Sequence, residues 1–128
     1  MAVTHTTVFR SAVANLIGDT CNSGKLVFRI TGSTADSPAT AVATLTLAAD
    51  AFPNSTDGTL TAGAIASDTN ATGNAGAVAF ATIQSSADVI KVHCAVTASS
   101  GDINMSNGLT VAAGDTVSCS SLTYAAMP

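Results

Sequence analysis

Residues 88–98 read Asp-Val-Ile-Lys-Val-His-Cys-Ala-Val-Thr-Ala, and their alternation decides the fold class. Ile90, Val92, Cys94 and Val96 share one parity while Lys91 and His93 take the other, so a strand here has one apolar and one polar side. The same period of two recurs upstream. In residues 25–31, Leu26, Phe28 and Ile30 fall on one face, and Arg29 faces away with Val27. In residues 40–47, Leu45 and Leu47 point inward and Thr44 and Thr46 outward.

Further strands are predicted over 59–66 and 77–84, separated by a Gly/Asn/Thr turn at 68–76. Residues 50–58, Asp-Ala-Phe-Pro-Asn-Ser-Thr-Asp-Gly, are dense in turn formers and read as a loop. Asn107-Gly108 lies between Ile103–Ser106 and Leu109–Val111. That placement signals a two-residue hairpin, because both turn positions need positive φ. A last strand over 116–124 changes parity, with Val117 and Cys119 odd and Leu122 and Tyr124 even. A bulge near Ser120-Ser121 reconciles them.

The pattern gives a mainly β chain: an antiparallel β-sandwich or small barrel of seven to eight strands, with one short N-terminal helix. Alternating strand and helix patterns are missing, which argues against a parallel α/β sheet. No fixed-period repeat is present either. Residues 1–24 form an N-terminal arm and amphipathic helix, and residues 25–128 the antiparallel β domain. Together they make one globular domain, since 128 residues suffice for a single core.

The helix is read from Phe9, Val13, Leu16 and Ile17, which recur at i, i+4, i+7 and i+8 between Thr7 and Asp19. Thr4, Thr6 or Thr7 can cap its start and Gly18-Asp19 can end it. Arg10, Ser11 and Asn15 then fall toward the opposite face. An apolar helical stripe ordinarily serves the core, so packing of this stripe on the chain's own sheet is the first expectation. Docking on a neighbouring subunit is the second.

Composition narrows the function classes. The net charge is −4, only 9 % of residues are charged, and there is no Trp. Low net charge with recurring Val, Ile and Leu argues against disorder. Arg10, Lys25, Arg29 and Lys91 are too few and scattered for generic nucleic-acid binding. No stretch is long and apolar enough to cross a bilayer as a helix. The N-terminus lacks a basic region followed by an apolar one, so a secretory signal is expected to be absent or already removed. The sequons at Asn54 and Asn70 fit chance in so Thr-rich a chain.

All eight carboxylates are Asp, mostly beside Gly, Ser, Thr, Asn or Pro, where a short side chain accepts from nearby backbone N–H groups. They read as turn and cap residues. Cys94 and Cys119 share parity with apolar strand positions and read as small buried hydrophobes, whereas Cys21 falls in a polar turn. Free thiols in a reducing cytoplasm are expected; a Cys94–Cys119 bridge requires neighbouring strands.

Chemical motifs are scarce. Residues 102–108 resemble the start of a calcium loop, but the Gly comes one place late and position twelve is Ala113 instead of a carboxylate. His93 and Cys94 point to opposite sides of one strand and cannot share a zinc ion or form a nucleophile–base pair. Gly-x-Ser-x-Gly and the phosphate-cradling Gly loops do not occur. Neither an enzyme, a metal site nor a cofactor is expected. Outward Thr pairs such as Thr44/Thr46 and Thr59/Thr61 suit a solvent-facing strand surface.

The order of these elements resembles small virion proteins of tailed bacteriophages, in particular capsid decoration or cement proteins. A short N-terminal helix is followed by Gly24-Lys-Leu-Val-Phe-Arg-Ile30 and Ala43-Thr-Leu-Thr-Leu-Ala-Ala-Asp-Ala-Phe52, then Gly101-Asp-Ile-Asn-Met105 and Leu109-Thr-Val-Ala-Ala-Gly-Asp-Thr-Val117. The likeness spans most of the chain and includes no diagnostic ligand motif. It implies a non-enzymatic protein made in the host cytoplasm that assembles on the outer capsid surface of the virion. Its partners would be the major capsid protein and copies of itself, as trimers or dimers, with no nucleic acid or membrane. An acidic pI of about 4.5 is compatible with a surface turned away from DNA. Candidate subunit or capsid contacts are Val3, Thr4 and His5 of the arm and Phe9, Arg10 and Val13 of the helix. A self-assembling filament, tail or collar subunit is the alternative, as is a glycan-binding adhesion module.

Overall fold

The structure, a computed structural model, describes residues 3–125. Thr6 ends the extended arm and starts α1 (Thr7–Thr20), its hydroxyl accepting from the Phe9 N–H at 3.3 Å. That bond satisfies one of the donors that a helix start leaves open. At the other end the Thr20 hydroxyl donates to the Ile17 carbonyl at 2.6 Å, and the Cys21 N–H to the Gly18 carbonyl at 3.0 Å.

Eight strands follow: β1 (Lys25–Ile30), β2 (Ala41–Leu47), β3 (Thr59–Thr61), β4 (Ile65–Ala66), β5 (Val78–Gln84), β6 (Ile90–Thr97), β7 (Ile103–Asn104) and β8 (Thr123–Ala125). Six of them form a curled half-barrel in the order β4-β2-β1-β5-β6-β7, and β3 pairs with β8 in a small second sheet. The fold is therefore β-rich with one short helix, as the alternation predicts. Pairing is antiparallel except between β6 and β7, which run parallel and make the larger sheet mixed.

Register explains the core. Leu26 lies opposite Leu45 on one side and Ile83 on the other, while Phe28 lies between Ala43 and Ala81. The two alanines leave room for the ring, which is how an Ala-rich strand set still packs densely. Phe52, Leu60, Val111, Val117 and Leu122 close this core from the other strands and loops. At the entry to β1 the chain runs so near β5 that a Cβ on Gly24 would lie 2.0 Å from the Gln84 carbonyl oxygen.

Several local expectations change. The single strand over 59–66 divides: β3 joins one sheet and β4 the other, with the Ala62 N–H donating to the Leu122 carbonyl at 2.8 Å between them. No hairpin forms about Asn107-Gly108. Gly108 has φ 109°, but Asn107 is not among the residues with positive φ. Residues 109–111 instead reach back to β5 and the turn before it: the Val78 N–H donates to the Leu109 carbonyl at 2.8 Å, and Val111 bridges Asn74. Covering the core with Leu109 and Val111 outweighs the local turn preference. Cys21, expected in a polar turn, is fully buried.

The strand expected over 116–124 does not form: Val117 makes only an isolated bridge to Asp68, and β8 begins at Thr123. Val117 and Leu122 are both buried, and regular pairing is interrupted between the Asp68–Val117 bridge and β8. Several of the Asp residues serve the backbone: Asp68 Oδ2 accepts from Thr44 N–H, Asp102 Oδ2 from Ala95 N–H and Asp115 Oδ2 from Ala112 N–H, each at 2.9 Å.

Candidate interaction surface

Helix α1 is seated with its apolar stripe outward. Its buried residues are Ser11, Ala14 and Gly18, spaced i, i+3 and i+7, whereas Val8 is 81 %, Leu16 67 % and Phe9 51 % exposed. At about 100° per residue Phe9 and Leu16 lie about 20° apart on the side away from Ser11, Ala14 and Gly18, and Val8 lies on the flank between the two sides. The expectation that the stripe serves the chain's own core is corrected. Val13 and Ile17, at its margin, are half-buried.

Close approach and hydrogen bonding together fix this orientation. A Cβ on Gly18 would lie 3.0 Å from Leu60 Cδ1 and 3.1 Å from Phe52 Cβ, so the helix meets β3 and the preceding loop through its smallest side chains. Asn15, one turn earlier, binds that loop at Ser55: its amide donates to the Ser55 carbonyl at 3.2 Å and its carbonyl accepts from the Ser55 N–H at 2.9 Å. Seating the Leu16 side against Phe52 and Leu60 would break both bonds and demand more space between helix and strand. Packing thus selects the small, polar side.

The six candidate contact residues separate accordingly. Val3 and Thr4 are exposed in the arm. His5 stacks on Phe9 with ring centroids 5.4 Å apart, so arm and helix present one continuous surface. Phe9 is on the outer face and Val13 at its edge. Arg10 turns toward the chain's own body, within 3.0 Å of where a Gly58 Cβ would stand. There its charge helps hold the Asp57 carboxyl below the usual range, after the Thr59 N–H and Ser55 hydroxyl that bond it. Val8 and Leu16 are the outward residues not among the six. Leu16 was legible in the stripe; what periodicity does not reveal is which of two competing helical stripes faces inward.

Elsewhere, polar groups are turned to structure. On the outer face of the half-barrel, Arg29 donates to the Thr82 hydroxyl at 3.1 Å, the Ala39 carbonyl at 2.8 Å and Gln84 Oε1 at 3.3 Å. Lys25 pairs with Asp88, which also accepts from the Gln84 amide. His93 reaches Ser33 Oγ at 3.2 Å and packs on Phe80, while Cys94, on the opposite face, donates to the Ala81 carbonyl at 3.4 Å. All three cysteines are free thiols. Burial raises the pKa of each, Cys94 to about 11 with Asp102 adding to the effect.

A cleft of about 510 Å³ opens between the β7 turn and residues 115–123, its lining mixing Ser, Thr and Asn with Asp102, Asp115 and apolar side chains such as Phe28 and Met105. One oxygen of each of these carboxylates is already held by a backbone N–H. No group of three His, Cys or Asp side chains suited to a metal ion occurs among the described residues, and no helix among them is long and apolar enough to cross a membrane. Comparison with family models, curated proteins and solved structures finds no match to this chain.

Proposed function

We propose that this chain is a structural virion protein of a tailed bacteriophage, a capsid decoration protein that assembles on the outer head lattice and stabilises it. The observation that carries the reading is the outward apolar face of α1. Phe9 and Leu16 stand on one side of the helix, two turns apart, with Val8 on the flank, all exposed to water. Covering each such side chain is worth about 1.5–3 kcal/mol, and exposed patches of this kind mark protein contacts.

Charge and chemistry agree with that reading. The net charge of −4 suits a protein partner better than DNA. Asp57, Asp68, Asp102 and Asp115 each hold backbone N–H groups. The order of elements resembling decoration proteins supplies the setting: the major capsid protein as partner, many copies per head, and a place on the virion's outer surface after synthesis in the host cytoplasm.

Sedimentation of the purified chain with heads of the phage that encodes it tests the reading. The wild-type protein is expected to travel with the heads. A Phe9→Glu/Leu16→Glu variant is expected to keep its circular dichroism spectrum and stay at the top of the gradient. A wild-type chain that ignores heads, and instead forms fibres, follows tails or binds glycans alone, would overturn it.

A further inference from the structure

We infer that Asn107 is a site of spontaneous covalent modification: the Gly108 backbone nitrogen displaces its side-chain amide, and water opens the resulting cyclic imide to aspartate or isoaspartate. The inference is independent of the outward face of α1 and rests on the turn that leaves β7.

Asn is a thermolabile residue, and the chain has seven. The reaction asks two things of each: a side-chain amide free to swing and a following backbone N–H free to attack it. The fold withholds one or both at six of them. Side-chain amides are held at Asn15 by its two bonds to Ser55, at Asn22 by the Ala51 N–H at 2.9 Å and at Asn74 by the Gly76 N–H at 2.7 Å. Elsewhere the next nitrogen is held. After Asn54 the Ser55 N–H is bound to Asn15 Oδ1, after Asn70 the Ala71 N–H to the Asp115 carbonyl at 3.0 Å, and after Asn104 the Met105 N–H to the Thr97 carbonyl at 2.9 Å.

Asn107 has neither restraint. It is exposed, and its side chain makes no hydrogen bond among the described residues. The Gly108 N–H reaches the Met105 carbonyl only at 3.4 Å, longer than N–H···O bonds ordinarily are. Gly108 also brings no Cβ, and the space where one would stand is empty to 4 Å. Asp57-Gly58, the chain's one Asp-Gly pair, could close the same five-membered ring but is restrained. Asp57 Oδ1 accepts from the Thr59 N–H and the Ser55 hydroxyl, each at 2.9 Å. These bonds hold its carboxyl below the usual range, in the ionised form that a nitrogen attacks poorly.

In the first step the Gly108 nitrogen bonds to Asn107 Cγ and gives up its proton, the Cγ–Nδ2 bond breaks, and ammonia leaves. Water then adds to one of the two imide carbonyls. Opening at Cγ leaves Asp in the normal chain. Opening at the Asn107 backbone carbonyl leaves isoaspartate, whose main chain runs through Cβ and Cγ. Neither step changes an oxidation state. Both products carry a carboxylate in place of an amide, so the chain becomes one unit more negative than its net charge of −4. The new charge joins Asp102 and Asp115 on the lining of the cleft.

Ageing the full native chain at mildly alkaline pH, with peptide mapping by mass spectrometry and enzymatic methylation of isoaspartate, tests this. Amide loss is expected to concentrate at Asn107 and to exceed that at Asn54 or Asn70 by more than about fivefold, the factor for one hydrogen bond that must break first. Asn107→Gln, which would have to close a six-membered ring, should remove the isoaspartate signal with an unchanged circular dichroism spectrum. In guanidinium chloride, Asn54, Asn70 and Asp57 should join the reaction and the contrast with Asn107 should narrow. An Asn107 amide that survives in the native chain but is lost in the denaturant would overturn the proposal. So would native amide loss spread evenly over the seven Asn residues.

Discussion

The side-chain amide of Asn15 and the backbone of Ser55 hold each other by two hydrogen bonds, Asn15 Nδ2 to the Ser55 carbonyl and the Ser55 N–H to Asn15 Oδ1. They join a helix to a loop 40 positions away and set which side of α1 faces the protein. Asn15→Ala leaves both part-buried backbone groups without those partners, a loss of about 1–3 kcal/mol. Urea denaturation should show a lower midpoint at unchanged slope.

Substitutions along α1 should split by face, opposite to what hydrophobicity suggests. Leu16→Lys, on the exposed side, should change stability by no more than about 0.5 kcal/mol. Gly18→Val must push against Leu60 and Phe52 and should cost about 1–3 kcal/mol. Ser11→Ala removes a buried hydroxyl that has no hydrogen-bond partner, and is expected to stabilise by about 1 kcal/mol. Thermal melts of the three variants check the ordering. A Leu16→Lys chain as damaged as Gly18→Val would reverse the orientation assigned to the helix.

The Lys25 ammonium and the Gln84 amide both bond Asp88, holding its carboxyl below the usual range. A depressed carboxyl contributes stability above its unfolded pKa, and that contribution disappears as pH falls through the lower, folded value. Stability should therefore decline below about pH 4, and Asp88→Asn should make the decline shallower. Because the pair is exposed, the variant should differ little from wild type at neutral pH. Urea midpoints across the acid range measure both.

Cys94 titrates in the opposite sense. Burial, with Asp102 nearby, lifts its pKa from 9.0 to about 11, so the folded chain keeps a proton that the unfolded chain releases. Its contribution is complete below the unfolded value and is lost as pH rises toward about 11. Cys94→Ala should flatten the alkaline limb of the stability profile. In the native protein, alkylation of this thiol should be far slower than in urea, where peptide mapping after labelling should find it modified.

Periodicity made β1, β2, β5 and β6 legible, although only β2 alternates cleanly in burial: Val27 of β1, read as facing away, is buried, as are Thr82 and Gln84 of β5 on that same face. Leu26 and Phe28 found their partners through that pattern. It was mute on β3 and β4, whose few residues carry too little alternation to show that they join different sheets. Asn107-Gly108 carried a genuine turn preference that long-range burial of Leu109 and Val111 displaced. The candidate surface was half readable: Phe9, Val13 and Leu16 were visible as a stripe, but not their exposure.

By itself, the sequence determined the class of the fold, the place of the helix and the turn-forming role of Asp57 and Asp115, all properties set within a few residues along the chain. Tertiary structure alone decided which way α1 faces. That choice rests on the distance of Gly18 from Leu60 and on the bonds between Asn15 and Ser55, contacts between segments about 40 residues apart. A helix with a small, polar stripe and a large, apolar one can satisfy either orientation locally, and only the space left by β3 and its loop distinguishes them.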